Sequence, residues 1–180
     1  MSPKLLKALN FAAIAHHGQK RADGITPYIV HPFAVGFILL KYGYSEDVVI
    51  VGILHDVIED TKFSEIDIRK RFGKRISTMV LGVTENNKIT SNKEKFKLYK
   101  YNLKKSDNNT KAICAADMLH NRQSILMELE NKFDIWKALG TNKGRYLKKS
   151  YEKLTIIKEA INNELVQEVE INLKKIKAYN

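Results

Sequence analysis

At 180 residues and 44% hydrophobic content, with seven Phe, eight Tyr and one Trp, the chain can bury a packed core and is too apolar to be disordered. Its single cysteine, Cys114, excludes an internal disulfide and fits a reducing, cytoplasmic setting. The net charge of +11 leaves two partners to weigh, nucleic acid or a polyanionic small molecule.

The lysines lie mostly after residue 87. Neither an aromatic-interleaved RNA motif nor a paired Cys/His finger accompanies them, so no specific nucleic acid is expected and much of the charge reads as a solvated helix surface. The start, Met1-Ser2-Pro3-Lys4, carries no apolar signal segment. The apolar run Val48 to Leu54 is far shorter than the about 20 residues a membrane span needs. A soluble, cytoplasmic protein without membrane contact is expected.

Helical spacing runs through most of the chain. Ser2-Pro3 reads as an N-cap followed by proline at the first helical position, and Leu5, Leu6, Leu9, Ala12, Ala13 and His16 recur at helical intervals. Gly18 to Tyr28 is a loop punctuated by Gly24 and Pro27. Pro32 opens a second helix with Val35, Ile38 and Leu39 on one face. Ser45 caps a third, with Glu46 and Asp47 in the first turn, where the dipole favours acids. That helix is apolar nearly all round, so it is central. Ser64-Glu65-Ile66-Asp67 resembles a capping box, and Phe72-Gly73 ends the short helix behind it. A helix from about Lys74 to Val83 precedes a polar loop at Asn86 to Asn92. A Lys/Tyr-rich helix, a loop at Ser106 to Asn109 and a long helix from Thr110 to Glu130 follow. Two further helices are parted near Asn162-Asn163. No alternating strand pattern, repeat or linker appears. The prediction is an all-α fold, residues 1–180 forming a single domain.

Three segments carry chemistry: Tyr28-Ile29-Val30-His31-Pro32, Leu54-His55-Asp56-Val57-Ile58-Glu59-Asp60, and Ala115-Ala116-Asp117-Met118-Leu119-His120-Asn121. His55 and Asp56 end an apolar helix, which buries polar groups only when something satisfies them. Glu59 and Asp60 follow one turn later on the same faces. Three carboxylates and an imidazole so close together repel unless a cation or water separates them, and a divalent metal does that directly. A mixed imidazole and carboxylate set suits Mn, Fe or Zn. His31 and Asp117 are the obvious further donors, although spacing alone does not bring them together. Taken singly, each residue has an ordinary reading: a His-Asp pair at a helix end, a satisfied loop histidine, a solvated Glu59-Asp60 terminus. His120 and His16 read as helix residues or as supports behind the donors, and His17 as surface.

In that order on helices, His31, His55-Asp56 and Asp117 resemble the metal-ligand set of the HD phosphohydrolase superfamily. The likeness extends to His16-His17-Gly18-Gln19-Lys20-Arg21, Pro27 to Pro32, Leu54 to Thr61, Arg71-Phe72-Gly73 and Ala116 to Asn121, which are similar to the hydrolase domain of RelA/SpoT-type proteins. It is dense over residues 9 to 85, patchy to 112, clear again to 124 and weak afterwards. It implies a compact helical HD-domain bundle and, since the chain is too short for the synthetase domain of the long members, a stand-alone small alarmone hydrolase. Such a protein removes the 3′-diphosphate of guanosine tetra- and pentaphosphate with Mn²⁺, leaving GDP or GTP.

The resemblance further implies His31, His55, Asp56 and Asp117 as metal ligands and Glu59 and Asp60 as the pair that positions or deprotonates the attacking water. It places Arg21 over the nucleotide base and makes Asn121 a nucleotide contact, with Ser124 standing where the family often has Thr. The chain departs from the pattern at Arg122-Gln123-Ser124, where an Arg-Thr pair is usual after the Asn. The loop between Arg21 and His31 is one residue longer than in many relatives. The alternative within enzymes is an HD-type phosphatase acting on another nucleotide, such as a phosphorylated dinucleotide. Outside enzymes, the alternatives are a nucleotide sensor with a degenerate site or a basic nucleic-acid-binding protein. The oligomeric state stays open.

Overall fold

The computed structural model describes residues 1–84 and 89–179. They form helices α1 Pro3–Ala15, α2 Val30–Lys41, α3 Glu46–Leu54, α4 Val57–Asp60, α5 Glu65–Phe72, α6 Lys74–Val83, α7 Asn92–Lys105, α8 Asn108–Glu130, α9 Ile135–Ala138, α10 Lys143–Lys158 and α11 Glu164–Ala178. Among the described residues there is no strand, only an isolated bridge between Lys20 and Pro27 that closes the loop after α1. The expected all-α class holds. No helix among the described residues is long and apolar enough to cross a membrane.

Several boundaries follow the local chemistry of the sequence. The Ser2 hydroxyl accepts from the Leu5 N–H at 3.1 Å at the start of α1. The Ser64 N–H donates to the Asp67 carboxylate at 2.9 Å, one half of the anticipated capping box. Gly73, at φ +88°, ends α5 in a conformation that side chains rarely adopt.

Other expectations are corrected. α2 begins at Val30, two residues before Pro32, because a proline in the first turn removes only an N–H that has no partner there anyway. Ser45 occupies the N-cap of α3 without a side-chain cap bond. On α1 the buried face is Ala8, Phe11 and Ala12, whereas Leu6 is 45% exposed. α8 starts at Asn108, since the Asp107 carboxylate accepts the Thr110 N–H at 2.7 Å and shortens the loop expected there. α9 was not anticipated. The Asn86–Asn92 loop lies partly outside the described residues, and Asn92 is the first residue of α7, capped by Ser91.

α3 is the axle of the fold. Every residue from Val48 to Leu54 is buried, and the helix packs against α1, α2, α6 and α8. Two glycines set how close α2 and α3 lie. A Cβ on Gly36 would stand 2.6 Å from Ile53 Cγ1, and one on Gly52 would stand 2.4 Å from Leu39 Cδ1. The helices therefore meet nearly backbone to backbone, which brings the N-terminus of α2 beside the C-terminus of α3. α8 packs on α2, α3, α6 and α11 through a buried Ala112–Ala116 stretch that holds Cys114 as a small core residue.

Candidate metal centre and its adjoining cleft

Three elements deliver four polar side chains to one point. His31 stands in the first turn of α2, His55 is the C-cap of α3 with Asp56 next in the chain, and Asp117 projects from the middle of α8. One ligand atom each from His31, His55 and Asp117 falls within 4.8 Å of the others. Asp56 Oδ2 lies 3.0 Å from His55 Nε2 and 3.5 Å from His31 Nε2. Asp117 Oδ1 lies 3.2 Å from His31 Nε2 and 3.9 Å from His55 Nε2. Donors about 2.1 Å from a common centre stand roughly 3.0 Å apart at right angles and about 3.4 Å apart in a tetrahedron, so this spacing suits one ion. The His55 Nδ1–H donates to the Gly52 carbonyl at 2.8 Å, which turns Nε2 into the cluster, where it is buried without a hydrogen-bond partner.

The charges balance only with a cation present. Burial opposes ionisation of Asp56, but the charge of His55 beside it holds the carboxyl well below the usual range. Asp117 is likewise held low against burial, by the hydrogen bond from His31. Burial also opposes protonation of His55, yet Asp56 and Asp117 lift it to about 9. In the metal-free protein the proton on His55 thus takes the cation's place.

A pH dependence follows. A metal needs the neutral imidazole, so ion uptake at neutral pH should displace one proton from His55, with Asp56, Asp117 and His31 as the charged and titratable neighbours. Calorimetry in buffers of different ionisation enthalpy should count that proton, and apparent affinity should fall about tenfold per pH unit below about 9. Because the folded pKa is raised above the ordinary 6.5, the stability this proton gives the metal-free protein is present below pH 6.5 and lost as pH rises through about 9. Melting of the chelated protein should show that loss.

Behind the donors lies a supporting layer, in which His16 was anticipated but the roles of Tyr28 and Gln19 were not. The Tyr28 hydroxyl donates to Asp56 Oδ2 at 2.6 Å and reaches Asp60 Oδ2 at 3.1 Å. Burial and the two carboxylates push the phenol's pKa upward, so it stays a donor. The Gln19 amide donates to the Asp60 carbonyl at 2.6 Å and pairs with His16 Nδ1 at 2.7 Å, which ties the His16-to-Arg21 loop to the site. Glu59 and Asp60 share a cavity of about 210 Å³ with the four clustered side chains. Lys95 stands 3.9 Å from Glu59. Asp60 is exposed as a residue, yet lost solvation and the charge of Asp56 raise its carboxyl's pKa. His17 is exposed, as expected.

A second cavity of about 730 Å³ adjoins the first, within the size range of small-molecule sites. Arg21, Asn121 and Ser124 all line it. Arg21 Nη2 donates to Asn121 Oδ1 at 2.8 Å, and Asn121 Nδ2 donates to Asp117 Oδ1 at 2.6 Å, so the cleft and the donor cluster form one network. The Ser124 hydroxyl donates to the His120 carbonyl at 3.1 Å. That bond leaves its oxygen able to accept but commits its proton within α8.

The family model for the HD domain matches residues 8–143. The chain belongs to the HD-domain family. The Aquifex aeolicus guanosine-3′,5′-bis(diphosphate) 3′-pyrophosphohydrolase is 34% identical over 136 residues, covering 76% of this chain and 18% of that protein. The enzyme of that name from Borreliella burgdorferi is 36% identical over 135 residues, covering 72% and 20% respectively. This chain spans about a fifth or less of the length of the curated relatives it matches. Among solved structures, a metazoan ortholog of SpoT that hydrolyses ppGpp superposes with TM-score 0.83 at 25% identity, covering 100% of this chain and 98% of that one. A Listeria monocytogenes protein superposes with TM-score 0.73 at 27% identity, covering 83% and 95%.

An HD domain implies a divalent ion, and the unpartnered, buried His55 Nε2 among three further donors fits one. The order of protons on His31 bears on this. To hold an ion, His31 must turn a lone pair on Nε2 towards it in place of the proton it shares with Asp117 in the metal-free protein. That puts the proton on Nδ1, where it donates to His120 Nδ1 at 2.7 Å. His120 can accept only when neutral. Burial and the nearby His31 and Arg21 hold its pKa down to about 4. His120→Ala should therefore loosen the ring and weaken metal affinity roughly 10- to 100-fold without removing a ligand. Metal titration of the chelated variant measures this, and unchanged affinity would show that His120 does not position His31.

Proposed function

We propose that this HD domain is a guanosine 3′,5′-bis(diphosphate) 3′-pyrophosphohydrolase that also takes the pentaphosphate and releases pyrophosphate with GDP or GTP. The carrying observation is the four-donor cluster with Glu59 and Asp60 beside it, opening into a cleft lined by Arg21, Lys95, Lys149 and Lys153. Relatives that bear this activity in their names support the reading. We take residues 1–180 as one hydrolase domain, since α10 and α11 pack on α8.

His31, His55, Asp56 and Asp117 are the residues that hold the ion, and Mn²⁺ is the expected one. When bound, such an ion polarises a phosphoryl oxygen and acidifies water. Asp56 and Tyr28 fix the near edge of the site. Glu59, 3.9 Å from Lys95, holds the attacking water, and Asp60, whose proton affinity is raised, accepts its proton at Oδ. Arg21 covers the base, and Asn121 contacts the nucleotide while holding Asp117 in place. Ser124 takes the place of the usual Thr in the same cleft.

A panel of nucleotides incubated with purified protein and Mn²⁺, and again with EDTA, tests the reading. Pyrophosphate should appear from guanosine 3′,5′-bis(diphosphate) and vanish with chelator. Inertness toward it, with single phosphates released from a 2′- or 3′-phosphorylated dinucleotide, would favour the phosphatase alternative. The changed Arg122-Gln123-Ser124 segment in the cleft gives that alternative its foothold, because Gln123 is exposed and reaches Glu168 at 3.4 Å instead of the ligand.

A further inference from the structure

Of the three residues that depart from the family pattern, Arg122 alone brings a charge into the cleft. It is 3% exposed and lines the 730 Å³ cavity from α8. A guanidinium is almost never buried unless it is paired. Here the Nη1–H donates to the Met118 carbonyl one turn back, while Nε is buried without a hydrogen-bond partner. Among the described residues no carboxylate forms an ion pair with Arg122. What surrounds it is largely aromatic: the Tyr146 ring lies 5.7 Å from the guanidinium carbon, Tyr99 and Tyr151 are the other tyrosines close enough to bear on its charge, and Asp117, already committed to the donor cluster, is the carboxylate whose charge reaches it. A buried cation without a carboxylate in direct contact is strongly destabilising in a protein left to itself. The missing charge has somewhere to come from, because the cavity beside Arg122 is wide enough for a small molecule. Lys149 and Lys153 line the same cavity over the Phe96 and Tyr99 rings, at 5.2 and 4.0 Å.

The metal donors stand at the other end of this space. Asp117 and Arg122 are five residues apart on α8, a rise of about 7–8 Å, and both line the cavity. A ligand whose scissile phosphate sits at the donor cluster therefore extends along α8 towards the guanidinium.

We propose that Arg122 is the receptor for a second phosphoryl group on the same substrate, at the end of the nucleoside opposite the bond that is cleaved. This rests on the nucleotide-hydrolase reading above and sharpens it: the preferred substrate is a nucleotide phosphorylated at both ends. A phosphoryl oxygen accepts from the guanidinium edge and supplies the contacting negative charge that Arg122 otherwise lacks. Arg122 acts in binding and touches no reacting atom.

The test compares two substrates in three proteins. Guanosine 3′,5′-bis(diphosphate) and its analogue with a free 5′-hydroxyl are assayed with wild type, Arg122→Met and Arg122→Lys. Arg122→Met should lower kcat/KM for the bis(diphosphate) at least tenfold more than for the analogue, within a total loss of roughly 10- to 100-fold carried mainly by KM. Arg122→Lys should recover part of it. Equal losses on both substrates, or none on either, would overturn the proposal. Arg122→Met should also melt no lower than wild type in EDTA, since it removes an uncompensated charge, whereas a drop of many degrees would mark Arg122 as a structural residue. If wild type cleaves neither guanosine substrate, the alarmone reading fails and inorganic pyrophosphate decides the matter of Arg122. With EDTA present to silence the metal site, pyrophosphate should raise the melting temperature of wild type but not of Arg122→Met. No rise in wild type, or the same rise in both, would sink the proposal.

Discussion

Asp56→Asn should abolish metal-supported turnover while leaving the fold intact. Asp56 Oδ2 is the carboxylate oxygen nearer to His55, at 3.0 Å, lies 3.5 Å from His31, and also accepts the Tyr28 hydroxyl at 2.6 Å. Asparagine has the same size and can still accept from Tyr28, so packing changes little. What goes is the charge. A neutral amide is a poor partner for a divalent ion, and one of the two carboxylates that offset it disappears. Activation by a metal supplies several kcal/mol of transition-state stabilisation, so kcat/KM should drop by at least about 10³-fold. Metal analysis after gel filtration should find well under one ion per chain, with the far-ultraviolet spectrum of wild type. In the chelated variant the pKa of His55 should also fall, because the larger of the two charges that lift it is gone. A variant with full metal content and full activity would remove Asp56 from the site.

Much of this arrangement is legible in the residues. An apolar run such as Val48 to Leu54 can only be central, and a His-Asp pair closing it needs a reason to be there. What periodicity cannot provide is distance. His31 and His55 stand on different helices, yet their ring centres lie 5.1 Å apart in space, and they meet because Gly36 and Gly52 let α2 and α3 pack backbone to backbone. Nothing in the pattern of a single segment encodes that approach. The Tyr28 phenol escaped notice for a related reason. Tyrosine beside a proline reads as ordinary loop packing, and only the fold shows its hydroxyl between Asp56 and Asp60. Arg122 stands in the sequence only as part of a departure from the family pattern, and its burial comes from the α8 face that carries it, which turns towards α10 and the cleft. α9 was invisible because four residues are too few to establish a period.

Glu59→Gln combined with Asp60→Asn should keep the metal and lose most of kcat. Neither residue belongs to the four-donor cluster, yet both line the same 210 Å³ cavity. Glu59 is set by Lys95 at 3.9 Å and Asp60 by the Tyr28 hydroxyl at 3.1 Å, so two carboxylates with different partners face the space where water must sit. In the mechanism proposed here, water held by Glu59 gives its proton to Asp60 as its oxygen attacks the phosphorus next to the nucleoside. The bond from that phosphorus to the nucleoside 3′-oxygen breaks, and intact pyrophosphate leaves. Base assistance of this kind is worth about 10²–10⁴-fold, and the double variant should lose an amount within that range while metal content and KM change little. Of the single variants, Asp60→Asn should flatten the acidic limb of the kcat profile, because its raised pKa marks the proton acceptor. Hydrolysis in ¹⁸O water should label the pyrophosphate and leave the 3′-hydroxyl unlabelled. Label in the 3′-hydroxyl would mean attack at carbon, and sequential release of two single phosphates would mean attack at the outer phosphorus. Either result would take the water, and with it Glu59 and Asp60, away from the position argued here.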